Sequence, residues 1–376
     1  EIWQKIIKYN HHLLVKSNQK IASSFNWDKN ASRILMILLG GFFLSKLLSL
    51  NVPFFHDELG VYGKAIFYMI DNGPTIIPGD VDPIISRGHP LFFIFFVSSC
   101  TSLLGGSYIS ARLVILMISV GLLLTTYFLG KELASKKVGL IAVFLFIFQP
   151  IFFAQSTLVL PEIFLSFLGS ITILFYLRKN YGMYFLFGSM LILTKETAIV
   201  VFAGIVLNEW YKEKFRINWN LILRSVKYSL PIICLVVFLI VQKIQHGWFL
   251  YPYHTGFISF SASDIYNRLW ACLKHFFLDQ NRSLMLIPLA FSLFKASKSD
   301  FKKFVNTHSL SFFVGLMMFS FSGLNYFMSR YLLLIYPLFF LAMVHIFESK
   351  KTPLAFYFIY FLITVVFFHY QTEEFR

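Results

Sequence analysis

The sequence predicts an all-α polytopic membrane protein, and three observations carry that prediction. Of its 376 residues 57% are hydrophobic and only 14% are charged. Mean hydropathy is positive. Long apolar runs alternate with short basic clusters. A water-soluble domain of this length could not keep so apolar a surface in solution.

The net charge of +15 does not point to nucleic acid. Lys and Arg gather in short loops between apolar segments, as the positive-inside rule expects of cytoplasmic loops, so the partner they imply is the anionic lipid of the inner leaflet. Cys100 and Cys234 lie in apolar segments and Cys272 in a polar stretch, which leaves neither a disulfide framework nor a cysteine metal site.

Residues 1–32 form an N-terminal segment. In it EIWQKIIKYNHHLLVKSNQK suits an amphipathic helix on the cytoplasmic surface, or equally a solvated tail. The first long apolar run starts near Ala31, too far in for a cleavable signal, and no small-residue cleavage site follows it.

Apolar length between charged breaks predicts about eleven transmembrane spans: 33–50, 108–130, 138–153, 163–177, 181–194, 196–210, 227–243, 283–295, 308–322, 330–347 and 353–369. A further apolar run, 89–105, is expected not to cross. With eleven crossings KELASKK, RKN, YKEKFR, KASKSDFKK and ESKK all fall on the cytoplasmic side, whereas a crossing at 89–105 would turn the later ones outward. That run is therefore read as a juxtamembrane or re-entrant helix within the first outer loop. The same parity puts the N-terminus inside and gives two modules, 33–210 and 211–376, the second carrying an outer loop at 244–282.

Chemistry gathers on the outer face. FFHDELGVYGKA brings His56, Asp57 and Glu58 just past the first span, and the same loop holds Asp80, Asp82, Arg87 and His89. Glu162 follows Pro161 at a helix start, and LTKET sets Lys195 and Glu196 at a break between two spans. His246, His254, Arg268, His275, Arg282 and Arg330 add cations. Each group also has a plain structural use, Asp57 and Glu58 as helix caps and Arg330 as an interfacial anchor. Ionisable groups at membrane depth nevertheless mark function more often than not.

Acids and cations on one face suit glycosyl transfer from a lipid phosphate. A carboxylate takes the proton of an attacking hydroxyl, and cations stabilise the charge growing on the departing phosphate. A phosphate leaves without protonation, so one base suffices, and direct displacement inverts the anomeric centre. A transporter or flippase of lipid-linked sugars would also carry intramembrane charges and broken helices, but the chain shows no internal repeat and its charges gather on one side.

In order, HDE after the first span, RGHPLFF, the acidic site in QSTLVLPEIF, LTKETAI and SRYLLLIYPLFF resemble the GT-C membrane glycosyltransferases. The branch is that of the dolichyl-phosphate-mannose protein mannosyltransferases and the bacterial aminoarabinose lipid A transferases. The resemblance is clear over 33–210 and weaker over 211–347. It implies a GT-C fold and a bacterial cytoplasmic membrane enzyme acting on the outer face. Its substrates would be a polyprenyl-phosphate-linked sugar donor and a protein, lipid or glycan acceptor. By it Asp57 would be the catalytic base, Glu58 its neighbour on acceptor or sugar, and Glu162 the second acidic position, with His89, Lys195 and Arg330 near the lipid phosphate and Glu196 beside them. It implies no certain cofactor, although Asp57 and Glu162 could hold a divalent metal through oxygen ligands. The site should be an amphiphilic cavity open sideways to the bilayer and walled by 54–58, His89, Glu162 and 193–197.

Overall fold

Backbone N–H and C=O groups in lipid must find partners within their own segment, which drives each apolar run to a helix. The computed structural model describes residues 27–294, 297–349, 352 and 354–366, and every regular element among them is helical. The expected amphipathic helix within residues 1–20 lies outside the described residues.

Helix α1 (Trp27–Lys46) leads through a 3-10 turn into a long connection, expected from loop charge on the outer side, which holds α2 (Gly63–Asn72) and α3 (Phe92–Leu103). A tight antiparallel pair follows, α4 (Tyr108–Leu133) and α5 (Lys136–Ile147), then α6 (Pro150–Gln155), α7 (Pro161–Leu177), α8 (Tyr181–Ile192) and α9 (Ile199–Lys212). The second module contains α10 (Trp219–Ser229), α11 (Ile232–His246), α12 (Ala262–Leu273), α13 (Ser283–Phe294), α14 (Lys298–Leu324), α15 (Tyr336–Ser349) and α16 (Leu354–Val366).

Helix starts follow local chemistry. Ser107 and Ser110 form a reciprocal capping box at α4, and Ser135, Asn180, Asn218 and Ser297 cap the first turns of α5, α8, α10 and α14. Pro150 and Pro161 sit at first helical positions, where the missing N–H costs nothing. Proline also divides two of the expected spans. The run 138–153 splits at Gln149–Pro150, and the run 227–243 is bent at Pro231, where α10 and α11 meet at 53°.

By length and composition α4, α14 and the segment Lys29–Asn51 could each cross a bilayer alone, and the bent pair α10–α11 qualifies as one broken span. The other crossings proposed from loop charge use shorter apolar helices such as α7, α8, α15 and α16. Helix α3 packs on α2 and α4. Backbones approach closely where side chains vanish: a Cβ on Gly130 would lie 2.4 Å from the Cα of Gly139, so this pair lets α4 and α5 touch directly. Helix α7 packs between α4 and α8, and α9 packs along α14.

If the charge-derived topology holds, Ala134→Cys, in the exposed turn between α4 and α5, should react with a membrane-impermeant thiol reagent only from the cytoplasmic side. Labelling from outside would overturn the orientation of every later loop.

Candidate functional site

His56 has a positive φ of 46°, and the chain passes from it through Asp57 into a π-helical turn at Glu58–Tyr62. In that turn the two neighbouring acids face different surroundings. The Asp57 side chain is 43% exposed and Glu58 is 1% exposed.

Glu58 is enclosed by the protein. One carboxylate oxygen accepts the Val159 N–H at 2.7 Å and the other pairs with the Arg112 guanidinium at 2.8 Å. Arg112, itself 1% exposed, also donates to Thr157 O and Pro53 O and lies over the Phe54 ring. Burial pushes the Glu58 carboxyl up, against the opposing pull of the Val159 N–H and the Arg112 charge. Glu58 was expected on acceptor or sugar; here each of its oxygens bonds within the protein, one to Arg112 on α4 and one to the Val159 N–H in the loop before α7.

Asp57 begins a chain of charges. Its carboxylate accepts from Arg330 at 2.5 Å. The Arg330 Nε lies 3.5 Å from Glu162 Oε1, the same oxygen that lies 3.3 Å from Lys195 Nζ. Glu162 is only 2% exposed, so it sits beneath the cavity surface. Lys195 also rests over the Tyr331 ring at 4.3 Å.

His89 Nδ1 meets the Glu196 carboxylate at 2.9 Å, and its ring lies tilted by 31° against His254, with 4.6 Å between centroids. Burial and the neighbouring His89 lower the His254 imidazole to about 4, so it is neutral at pH 7. Glycine is required just before His89: Gly88 has a φ of +63°, and a Cβ there would lie 2.6 Å from Tyr251 Cβ.

These groups line a cavity of about 450 Å³, with Asp57, Tyr62, Arg87, His89, Lys195, Glu196, His254, Arg330 and Tyr331 in its walls. Aromatic and apolar side chains, Tyr253, Phe257, Phe321 and Tyr326 among them, complete one side. A second, almost wholly apolar cavity of about 360 Å³ runs between Ile76, Pro78, Leu91, Phe92, Leu193 and the α11 residues Val237 and Phe238. Their linings come from neighbouring stretches of chain. Leu91 is two residues past His89 and Leu193 two before Lys195, and the Phe92 N–H donates to Leu193 O at 3.0 Å.

Of the described residues, His89, Glu196 and His254 form the group whose ligating atoms could hold a metal, all within 4.8 Å of one another. Two imidazoles and a carboxylate suit zinc better than magnesium or calcium. Asp57 and Glu162, the pair considered from sequence, are instead held on either side of the Arg330 guanidinium.

The structure thus brings Asp57, His89, Lys195, Glu196 and Arg330 to one cavity, with Glu162 behind it and Glu58 apart. Other outer-face cations serve elsewhere. Arg268 donates to Phe257 O and Leu324 O, His275 pairs with Asp279, and Arg282 is buried against Gln149, Gln280 and backbone carbonyls. Sequence reasoning listed His254 and Arg87 among the cations without assigning them a role, and it missed Arg112. A lone arginine in the otherwise apolar SARLVILMI was the available signal for Arg112.

No protein-family profile matches the chain, and no curated protein is similar to it. Its backbone is similar to that of ArnT from Cupriavidus metallidurans in the apo state, with a TM-score of 0.63 and 13% identity over 88% of this chain and 62% of that one. It is equally similar to the structure of ArnT from the same organism bound to undecaprenyl phosphate, with a TM-score of 0.63 and 13% identity over 86% of this chain and 60% of that one. The chain therefore spans about three fifths of the length of the proteins it matches. At this identity the likeness establishes a shared fold, the GT-C architecture that the ordered motifs anticipated.

Arg112→Met should cost about 3–5 kcal/mol, because it strands the Glu58 carboxylate in a buried site. The double variant with Glu58→Gln should recover much of that loss. Thermal melting in lipid nanodiscs measures both, and equal destabilisation by the single and the double variant would show that the pair is not coupled.

Proposed function

We propose that the protein is a membrane glycosyltransferase that moves a sugar from a polyprenyl-phosphate donor to an acceptor hydroxyl on the outer face, with Asp57 as base. The observation that carries this reading is the pairing of a charged cavity with an apolar one whose lining residues Leu91 and Leu193 stand two residues from His89 and Lys195. A polyprenyl-phosphate sugar is apolar at one end and anionic and hydroxylated at the other. The apolar cavity suits the isoprenoid chain, and the charged cavity beyond His89 and Lys195 suits the phosphate and sugar. The shared fold with a transferase whose structure contains undecaprenyl phosphate supports the same donor class.

In this mechanism the acceptor oxygen attacks the anomeric carbon from the side opposite the phosphate. As the new C–O bond forms, the hydroxyl proton passes to Asp57 and the bond from sugar carbon to phosphate oxygen breaks. Polyprenyl phosphate leaves with the bonding electron pair, and the anomeric configuration inverts. Lys195, His89 and Arg330 supply positive charge where the phosphate gains it. Glu162 keeps Lys195 and Arg330 oriented, and Glu196 does the same for His89.

Asp57→Asn keeps the shape and removes the base. Turnover should fall by about 10² or more while folding and donor binding persist. The assay is transfer from a synthetic polyprenyl-phospho-sugar, with the product anomer assigned by NMR. Near-normal transfer by a well-folded Asp57→Asn preparation would remove Asp57 from the role. Transbilayer movement of a labelled donor by the wild type without any transfer would favour a flippase instead.

A further inference from the structure

Arg330 has two acidic neighbours, and they are not equivalent. Its firm hydrogen bond goes to Asp57 at 2.5 Å, whereas its Nε lies 3.5 Å from Glu162 and makes no hydrogen bond. The contacting oxygen of Glu162 is also engaged by Lys195. The other cations around the cavity have standing partners of their own: Lys195 with Glu162 and the Tyr331 ring, His89 with Glu196, and Arg87 with the Tyr253 ring. Arg330 is therefore the cation whose main partner, Asp57, is the group that the proposed reaction neutralises.

Charge counting sharpens the point. Asp57 and Glu162 balance Lys195 and Arg330. The donor phosphate, a diester, carries one negative charge. When the acceptor proton has passed to Asp57 and the sugar has left, Asp57 is neutral and the phosphate, now a monoester, has gained a second negative charge. Total charge is unchanged, but one unit of negative charge has moved from the carboxylate to the phosphate. A guanidinium that stays in place and turns its donors from one to the other follows that movement, and its planar fork of N–H groups matches carboxylate and phosphate alike.

We infer that Arg330 couples base to leaving group by exchanging partners: it holds Asp57 while that carboxylate is ionised and passes to the phosphate as Asp57 takes the proton. Ground-state capture of the phosphate then belongs to Lys195 and His89, and Arg330 acts on the step that follows. This inference rests on the glycosyl-transfer reading, but its test needs no turnover.

Asp57→Asn mimics the protonated base. Binding of undecaprenyl phosphate is measured for full-length wild type, Asp57→Asn, Arg330→Gln and the double variant, each checked for folding by thermal melting. Asp57→Asn should bind about 10-fold more tightly than wild type, a coupling of ordinary size between linked sites. Arg330→Gln leaves the cavity one positive charge short and should bind no more tightly than wild type, and the gain from Asp57→Asn should vanish when the two are combined. If a glutamine at position 330 does not fold, Arg330→Lys takes its place and should reduce the gain to about 3-fold or less, because the fork is lost. Simple relief of repulsion would give the same gain with or without Arg330, and that result overturns the exchange, as does no gain at all. Absence of saturable binding to every variant overturns both the exchange and the reading beneath it. The expected pattern in a protein that never transfers sugar would sink the reading alone.

Discussion

The buried ion pair of Glu58 and Arg112 is the constraint on which the rest of the site depends. Two charges with 1% exposed side chains survive there because both oxygens of the acid and both terminal nitrogens of the base have partners, Val159 N–H on the acid and Thr157 O and Pro53 O on the base besides the bond between them. Through these bonds one arginine on α4 joins the end of the first outer loop's opening stretch to the loop that precedes α7. Asp57 precedes Glu58 and Glu162 follows Val159 by three residues, so fixing Glu58 and Val159 also fixes where two further carboxylates stand. The acid that faces the cavity is held in position by the acid that does not.

From there the electrostatics build outward in layers. Glu162 is shared by Lys195 and Arg330, and Arg330 reaches on to Asp57. The His89–Glu196 pair closes another side. Cations brought to the membrane boundary need compensation, and a carboxylate beside each supplies it. What distinguishes the site is a gradient of exposure, from Glu162 at 2% through Arg330 at 15% to Asp57 at 43%. Buried members hold position, and the exposed one is left with access to a substrate.

Much of this was legible because membrane physics writes large patterns into sequence. Apolar runs separated by basic loops become helices, prolines at 150 and 231 mark the breaks, and polar caps mark the starts. The grouping of Asp57, His89, Lys195, Glu196 and Arg330 in one cavity was also legible, since each interrupts or borders an apolar run. Orientation was not. Adjacent residues on a helical turn point about 100° apart, so HDE alone cannot say which acid faces the cavity, and the choice depends on Arg112 some fifty positions away. His254 escaped assignment for a similar reason. It lies in an aromatic segment without periodicity, and only the chain's return brings its ring onto His89.

The irregular backbone supports the same reading of the outer face. Helix α8 does not continue into α9: the chain opens at Leu193–Lys195 and tightens to a 3-10 turn at Glu196–Ala198 before resuming. Another 3-10 stretch, Ser329–Leu334, carries Arg330 ahead of α15. Each break gives up helical hydrogen bonds near the hydrocarbon, where an orphaned carbonyl or amide is expensive, so such breaks persist only against protein or a polar cavity. Both conditions are met here. Leu193 O is recovered by the Phe92 N–H, and both residues line the apolar cavity. The interruption that brings Lys195 and Glu196 to the charged cavity thus also brings Leu193 to the wall of the apolar one.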